Sequence, residues 1–238
     1  MGTVLTAVKN AVWPRRCPAC HDAVRPFGAS VCAGCEKRFP YISGRTCRIC
    51  GKELADPARD VCAGCRRVDN GLAGGVALFR YEGTARESVA KFKDEGRREY
   101  ADFYAQALAA RFGEKLLSFA PQLIVPVPVH KSRLRERGYN QAAEIARRLG
   151  RLLGVPAAED LLLREKRTEA QKELGAQARA ENLAGAFRAV RRADDTPRVL
   201  LVDDIFTTGL TMRACAAALK AAGVREVFGC SVCISEDY

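Results

Sequence analysis

The stretch VLLVDDIFTTGLTM, residues 199–212, constrains the fold of this 238-residue chain more than any other segment. Val199 to Val202 form an apolar run typical of parallel strands that are covered on both faces. A helical spacing of apolar residues resumes at Leu210 and continues to about Ala222. The turn between them lies at the carboxyl end of a strand and at the N-terminus of a helix, where open α/β sheets bind ligands. The stretch therefore predicts an α/β fold.

This turn carries side chains suited to a phosphorylated sugar. Asp203 and Asp204 offer carboxylate oxygens for sugar hydroxyls or for a hydrated Mg²⁺. Thr207, Thr208 and Gly209 offer hydroxyl groups and a close backbone approach, beside helix N–H groups that favour a phosphate. A plainer interpretation is a helix cap next to a solvated carboxylate. Because strand, acid pair, TTG and helix occur in the order that a phosphate site needs, the turn predicts a site for a phosphorylated ribose.

VLLVDDIFTTG resembles the loop that binds phosphoribosyl pyrophosphate (PRPP) in type I phosphoribosyltransferases. The resemblance implies a central, mainly parallel sheet that is flanked by helices. It also implies that Asp203 and Asp204 take part in catalysis. The residues that it assigns to PRPP binding are Asp203, Asp204, Ile205, Phe206, Thr207, Thr208, Gly209 and Thr211.

Eight of the eleven cysteines form four CxxC knuckles between residues 17 and 65. Eleven residues separate successive knuckles, and VCAGC occurs at residues 31–35 and again at 61–65, so a unit of 30 residues has been duplicated. Four cysteines in each unit predict two structural zinc sites with closed tetrahedral shells. The ligands of the first site are Cys17, Cys20, Cys32 and Cys35, and those of the second are Cys47, Cys50, Cys62 and Cys65.

A disulfide framework is the alternative for these cysteines, and it needs a secretory route. The opening MGTVLTAVKNAVWPRR has Lys9 and Asn10 inside its apolar stretch and no small-residue cleavage site, so it predicts a short amphipathic helix rather than a signal peptide. No stretch approaches the roughly 20 apolar residues of a membrane span. We therefore expect a reduced, cytoplasmic zinc protein.

The formal net charge of +11 suggests a polyanionic partner. Zinc reduces this charge, because four thiolates around one Zn²⁺ carry a net charge of −2. Residues 1–70 contain 12 basic and 6 acidic side chains, so two loaded sites lower their charge from +6 to +2. The loaded chain then carries about +7, which weakens the charge argument for nonspecific DNA binding by the ribbons.

The segment NGLAGG after Asp69 is typical of a linker and predicts two domains. Residues 1–70 would form a double zinc ribbon with repeat units 17–46 and 47–69, and residues 71–238 would form the phosphoribosyltransferase-like domain. Within the latter, strands are expected at 76–81, 123–128, 157–165 and 224–234, and helices at 84–95 and 98–112. Four cations near the junction of the two helices either contact phosphate or form a solvated face: Lys91, Lys93, Arg97 and Arg98.

The most basic segment follows the strand that begins at Leu123. Arg133, Arg135 and Arg137 are expected in a loop at the ligand edge of the sheet, where guanidinium groups suit bidentate contact with pyrophosphate. The next helix should bury one set of residues and leave another in solvent. The buried set is Ile145, Leu149 and Leu152, and the solvated set is Arg147, Arg148 and Arg151.

Four features together resemble the ComF family, a phosphoribosyltransferase-like family named for bacterial competence. They are the paired knuckles, KFKDEGRREY, PVPVHKSRLRERGYNQA and REKRTEAQKELGAQARAENLAGAF. The resemblance covers nearly the whole chain. It implies that residues 164–182 form a loop that closes over the pyrophosphate, with Lys166 and Arg167 as catalytic stabilisers of the leaving group. A solvated surface helix is the alternative for this segment.

The resemblance implies Mg²⁺-dependent transfer of a phosphoribosyl group from PRPP to an unidentified acceptor, in a protein associated with competence and DNA uptake. Arg133, Arg137, Lys166 and Arg167 would then hold the departing pyrophosphate. The second hypothesis is a non-catalytic adaptor of the same fold that binds single-stranded DNA, a competence helicase or a recombination protein. Against this hypothesis, the aromatic content is 7%, and the ribbons carry only three aromatic residues on which bases can stack, namely Phe27, Phe39 and Tyr41.

Overall fold

The computed structural model describes residues 14–56, 58–67, 69, 71–165, 183, 185–193 and 195–235. In chain order its helices and strands are α1 (Ala63–Arg67), β1 (Gly74–Arg80), α2 (Gly83–Asp94), α3 (Tyr100–Ser118), β2 (Leu123–Pro126), α4 (Lys131–Arg137), α5 (Gln141–Leu153), β3 (Leu162–Arg164), β4 (Phe187–Ala189), β5 (Arg198–Phe206), α6 (Leu210–Ala221) and β6 (Glu226–Ile234). A short 3₁₀ helix, Glu36–Arg38, lies in the first zinc ribbon. The expected N-terminal helix falls on residues outside these ranges, apart from residues 14–16.

A four-stranded sheet in the order β1–β6–β5–β2 forms the centre of the fold. All three pairings in it are parallel. A separate antiparallel pair, β3–β4, lies beside it. The predicted α/β architecture with a parallel central sheet is therefore confirmed.

The sheet is buried on both faces, and successive residues of β5 enter two different cores. Leu200 and Val202 pack with α2, α3 and α5 in one core. Val199 and Leu201 pack with α6 and with the β3–β4 pair in the other. This alternation follows from the two-residue period of a strand. It explains why residues 199–202 of this strand are apolar without interruption, as expected for a parallel sheet that is covered on both sides.

The two zinc ribbons lie on opposite faces of the sheet, at the β1 edge. Buried residues of the first ribbon, including Cys17 and Phe39, belong to the core that contains α2 and α3. The buried cysteines of the second ribbon belong to the core that contains α6. Between them, Tyr41 forms an antiparallel bridge with Phe79 of β1. The ribbons therefore cover an edge strand that would otherwise expose unpaired backbone groups.

At Gly74 and Gly75, the backbone of β1 lies close to the backbone of the second ribbon, which leaves little room for a side chain. The N–H group of Gly75 donates to the carbonyl oxygen of Arg48 at 3.0 Å. A Cβ atom on Gly75 would lie 2.6 Å from the carbonyl oxygen of Ile49 and 2.8 Å from that of Gly229. Gly74 and Gly75, which we expected in the linker, are therefore part of the strand and are held between β6 and the ribbon.

The structure corrects the prediction of a loop around the three arginines of residues 133–137, which lie on helix α4. The His130 side chain caps this helix by accepting from the N–H group of Ser132, and Gly138 ends it in a left-handed conformation with φ of 73°. Both capping signals lie at the ends of the basic run. No residue of α4 is buried, so local capping rather than core packing defines this helix.

Two predictions for α5 were wrong. Leu152 is 53% exposed, whereas Ile145 and Leu149 are buried as expected. Arg148, expected in solvent, is mostly buried, and its Nε atom lies 2.6 Å from Oδ1 of Asp102 on α3. The helical pattern alone predicted solvent around Arg148, whereas the neighbouring helix α3 supplies an ion-pair partner. Within the described part of the chain, every helix falls short of the length and apolar character that a membrane crossing requires.

Candidate functional site

The aspartate pair lies at the carboxyl end of β5, where the pairing of β5 with β2 has ended. The last β2 contact joins Val202 to Pro126, whereas β6 continues to pair with β5 as far as Phe206. The strand is therefore longer than predicted, and both aspartates belong to it. Since strand residues alternate, Asp203 faces the α6 side of the sheet and Asp204 faces the α2–α3 side.

Asp204 is buried and pairs with Lys93 in the last turn of α2, with Nζ and Oδ1 3.0 Å apart. Burial alone lowers the pKa of Lys93, but the carboxylates of Asp204 and Asp203 outweigh it and leave the pKa raised. Lys93 is therefore held as a cation at the end of β5. The sequence alone left both a phosphate contact and a solvated helix face open for Lys93, because the periodicity of α2 does not reveal which strand end the helix reaches.

Asp203 has a different electrostatic environment. Burial, and then the neighbouring Asp204 carboxylate, raise the pKa of Asp203 to about 8. The Asp203 carboxylate also accepts from the backbone N–H group of Asp204 at 2.8 Å. Near neutral pH the free protein therefore keeps a proton on Asp203, and a cation that binds here would displace it.

The turn after β5 presents an open helix N-terminus. Gly209 precedes α6 with φ of 76°, and this N-cap residue has no side chain that could occupy the first N–H groups of the helix. The first turn of α6 contains no acidic residue. Thr207 is exposed, and Thr208 and Thr211 are half-buried beside these N–H groups. The turn can therefore bind an anion through backbone N–H groups and hydroxyls.

The predicted phosphate-binding arginines on α4 differ from one another. Arg133 is exposed and pairs with Glu136 of the same helix, 3.2 Å away. Arg137 is mostly buried, and its Nη2 atom lies 3.3 Å from Oδ1 of Asp94 at the end of α2. Its Nε atom is buried without a hydrogen-bond partner in the described part of the chain. Arg137 is therefore the better placed of the two to gain a ligand contact.

Arg164 at the end of β3 is a candidate that sequence reasoning missed. Its guanidinium group lies 5.5 Å from the ring centroid of Phe187. Burial lowers the pKa of Arg164, and the opposing charge of Asp203 acts in the other direction. Two cavities adjoin the β3–β4 pair, one of about 390 Å³ and one of about 730 Å³. Arg164 lines the larger one together with Leu134, Tyr139 and Leu163. The predicted stabilisers Lys166 and Arg167 lie outside the described residues.

The eight knuckle cysteines converge into the two predicted groups of four, and within each group the ligand atoms lie within 4.8 Å of one another. Zn–S bonds of about 2.3 Å place tetrahedral ligands about 3.8 Å apart. The Sγ atoms of Cys50 and Cys62 are separated by 3.8 Å, which fits this geometry. Backbone N–H groups also donate to sulfur, as from Arg25 to Cys32 at 3.3 Å. The residues therefore fit structural zinc in both ribbons.

Two domain families and several known proteins are similar to this chain. The double zinc ribbon domain family matches residues 8–66, and the phosphoribosyl transferase domain family matches residues 134–236. Competence protein F of Haemophilus influenzae is 31% identical over 220 residues, which cover 89% of this chain and 93% of the relative. The chain belongs to the ComF family.

Other relatives of this ComF-family chain extend the comparison. Competence protein ComFC of Bacillus subtilis is 26% identical over 199 residues, covering 81% of this chain and 79% of the relative. DNA utilization protein YhgH of Escherichia coli is 33% identical over 107 residues, covering 45% of this chain and 47% of the relative. The predicted phosphoribosyltransferase fold with an N-terminal double zinc ribbon is thereby confirmed.

In this ComF-family chain, most of the PRPP-binding residues that the sequence predicts lie together at one end of the sheet. Asp203, Asp204 and the turn 207–211 meet there, and Phe206 supports the turn from the core, where it is 3% exposed. Ile205 packs against the other core, so these two residues can offer a ligand only their backbone groups. Lys93 and Arg164 join this site from elements that are distant in sequence.

Proposed function

We propose that this chain binds PRPP together with Mg²⁺ and transfers the phosphoribosyl group to an acceptor, with release of pyrophosphate. The observation that carries the proposal is the meeting of two features at the end of β5: a pair of carboxylates and an uncapped helix N-terminus. A phosphorylated sugar needs both, because its phosphate is an anion and its hydroxyl groups need acceptors.

The geometry supports separate roles for the two parts of this site. The N–H groups at the start of α6, with Thr207, Thr208 and Thr211, would hold the 5′-phosphate. Asp203 and Asp204 would accept from the ribose hydroxyls and bind the hydrated cation. Bound Mg²⁺ would supply neutralisation of the pyrophosphate charge.

Cations around the site would bind the leaving group. Arg137 has an Nε atom with no hydrogen-bond partner among the described residues, and Lys93 brings a charged amine to Asp204. Arg133 and Arg164 add positive charge from α4 and β3, and Lys166 and Arg167 keep the role proposed from the sequence. These groups would favour the transition state because negative charge increases on the pyrophosphate as its bond to the anomeric carbon breaks.

The reaction needs no protein nucleophile. The bond between the anomeric carbon and pyrophosphate breaks, a bond from that carbon to an acceptor atom forms, and pyrophosphate leaves. Catalysis would come from holding the two reactants in place and from stabilising opposite charges on the ribose and on the leaving group. Competence, which the names of two relatives state, gives the proposed biological setting, and DNA uptake is the process that the family resemblance implies.

Isothermal titration calorimetry of the zinc-loaded, full-length chain tests the proposal. We expect PRPP to bind in the presence of Mg²⁺, and we expect binding to be lost in the double variant Asp203→Asn/Asp204→Asn. Asp160→Asn is a matched control, because Asp160 is exposed and pairs only with Arg191 among described ion pairs. Absence of PRPP binding by the wild-type chain would falsify the proposal.

A second candidate function is a PRPP-fold adaptor for single-stranded DNA or for a DNA-processing protein. The name of the YhgH relative, a DNA utilization protein, favours it. The structure reduces the aromatic surface available on the ribbons, because Phe39 stacks on Phe79 and Arg111 lies over the Tyr41 ring. Phe27, 71% exposed, is the ribbon aromatic that remains accessible among the three considered.

Filter binding of a labelled single-stranded oligonucleotide across a salt series separates the two functions. If DNA is the ligand, affinity should fall steeply with salt, Phe27→Ala should weaken binding, and PRPP should compete weakly. If the site belongs to a transferase, PRPP with Mg²⁺ should bind at the β5 turn whether or not DNA is present. Salt-sensitive DNA binding without any PRPP binding would favour the adaptor.

A further inference from the structure

A side chain next to the first zinc knuckle contacts the start of α3, close to the end of α2 that carries Lys93. His21 follows the ligand Cys20, and its Nδ1 atom lies 3.0 Å from the hydroxyl oxygen of Tyr100 at the start of α3. The two rings stack with centroids 6.1 Å apart. Burial lowers the pKa of His21, and the charged groups that surround it come from α2 and from the α2–α3 connection: Glu87, Lys91, Glu95 and Arg97.

The backbone of His21 is set by the zinc knuckle. The residue adopts φ of 66°, a conformation that is uncommon outside glycine. Its N–H group donates to the carbonyl oxygen of Cys17 at 2.9 Å, and the N–H group of Cys17 donates to the carbonyl oxygen of Asp22 at 2.7 Å. Zinc bound by Cys17 and Cys20 would therefore hold this turn and aim the imidazole at α3.

Helices α2 and α3 connect His21 to the end of β5. Tyr104, one turn after Tyr100, packs edge-on against Phe92 with ring centroids 5.4 Å apart. Its hydroxyl group also lies 2.5 Å from the hydroxyl group of Ser88 on α2. Phe92 immediately precedes Lys93, whose amine reaches Asp204. A displacement of α3 relative to α2 would consequently move the amine of Lys93.

We propose that His21 is a positioning residue through which the first zinc site sets the placement of Lys93, and thereby the affinity of the site for PRPP. The inference rests on the proposed function for its ligand. It assigns to the ribbon a part in forming the ligand site, in addition to covering the β1 edge. The first ribbon also contacts α3 through Phe39, whose ring lies 4.8 Å from that of Phe103, and through the ion pair of Arg15 with Asp102, but neither contact involves the residue that begins α3.

A double-mutant cycle on the full-length chain tests this inference. PRPP affinity with Mg²⁺ is measured by calorimetry for the wild type, His21→Ala, Lys93→Met and the double variant, with zinc content determined for each. His21→Ala should weaken PRPP binding by about tenfold while two zinc ions are retained, a loss of the size of one buried hydrogen bond. In the Lys93→Met background the same change should have little further effect, because the residue on which it acts is absent.

Two further variants distinguish a specific effect of His21 on Lys93 from a general weakening of the contact between the first ribbon and α3. Tyr100→Phe removes only the hydroxyl group that contacts His21 and should reproduce part of the effect. Ser30→Ala removes a contact between the same ribbon and the same helix, where Ser30 Oγ lies 2.6 Å from Gln106 Oε1, and should leave PRPP affinity unchanged. Equal losses from His21→Ala with and without Lys93, or an equal loss from Ser30→Ala, would overturn the inference.

Hydrogen–deuterium exchange distinguishes failure of this inference from failure of the proposed function. If the wild type does not bind PRPP, the proposed function fails, but the contact can still be tested without ligand. The amides of residues 94–99 should exchange faster in His21→Ala and Tyr100→Phe than in the wild type, and at the wild-type rate in Ser30→Ala. Unchanged exchange in His21→Ala would show that the histidine does not hold this segment.

Discussion

The Nζ atom of Lys93 lies 3.0 Å from Oδ1 of Asp204, which joins the last turn of α2 to the end of β5. Both side chains are mostly buried, and the carboxylates of Asp204 and Asp203 outweigh the effect of burial and raise the pKa of Lys93. The lysine therefore remains charged at physiological pH and places a cation at the end of β5, beside the proposed PRPP site. Removing one member of such a pair leaves the other charge uncompensated.

Lys93→Met should weaken PRPP binding by about tenfold or more, because a charge-assisted contact with the pyrophosphate would be lost. Calorimetry in the presence of Mg²⁺ measures the effect. Lys91→Met is the matched control, since Lys91 belongs to the same helix and pairs with the exposed Glu95 at 2.7 Å. Tighter PRPP binding in Lys93→Met would mean that the lysine only blocks Asp204 in the free protein.

In the absence of Mg²⁺ and PRPP, titration of Asp203 should make the thermal stability of the chain depend on pH. Since burial raises the pKa of Asp203 to about 8, the folded chain retains a proton that the unfolded chain has already lost. The folded state then binds more protons between the ordinary value of 3.8 and about 8, so its stability falls as pH rises through that window. Relative to Asp203→Asn, the wild-type Tm should decline between about pH 5 and about pH 8. Asp160→Asn should follow the wild type, and parallel curves for all three proteins would contradict the raised pKa.

Metal analysis should find two zinc ions per chain, and the first site should release its ion sooner. Three of its ligands are only half-buried, whereas all four ligands of the second site are buried. A colorimetric chelator should therefore give a fast and a slow phase of equal amplitude. Cys32→Ser should remove the fast phase and Cys62→Ser the slow one. A single ion per chain would contradict the duplicated four-cysteine assignment.

Gly75→Ala should destabilise the chain by about 1–3 kcal/mol, because the added methyl group would collide with backbone on both sides of β1. The nearest atoms are the carbonyl oxygens of Ile49 and Gly229, at 2.6 and 2.8 Å. Chemical denaturation followed by circular dichroism measures the change. Gly34→Ala is the control, since its new Cβ atom meets nothing within 4 Å. Equal stability of the two variants would show that the ribbon does not press against β1.

Local sequence patterns predicted most elements of the fold. The apolar run at Val199 predicted a strand buried on both faces, and the CxxC spacing predicted both groups of zinc ligands. Such signals are local, because a strand, a turn or a knuckle is defined by neighbouring residues. The helix that begins at Lys131 was missed although His130 and Gly138 provide its caps, since the basic run between them has no apolar periodicity.

Contacts between distant segments were not predictable in the same way. Lys93 and Lys91 look equivalent in the sequence, and only the packing of α2 against the sheet brings one to Asp204 and the other to Glu95. Arg148 looked solvated until α3 supplied Asp102. The ion-pair partner of each side chain depends on which element packs beside it, and the periodicity of a single helix does not contain that information.

Local sequence was sufficient to establish the α/β class, the acid pair at a strand end followed by a turn and a helix, and two four-cysteine units. Each of these depends on residues that are close in the chain, whose spacing and chemistry restrict the local backbone. The folded chain was needed to show that the two ribbons enclose the β1 edge from opposite faces, that Lys93 and Arg164 join the aspartates, and that His21 reaches Tyr100. These relationships arise from burial of apolar surface and pairing of buried charges across the whole fold, which no local pattern specifies.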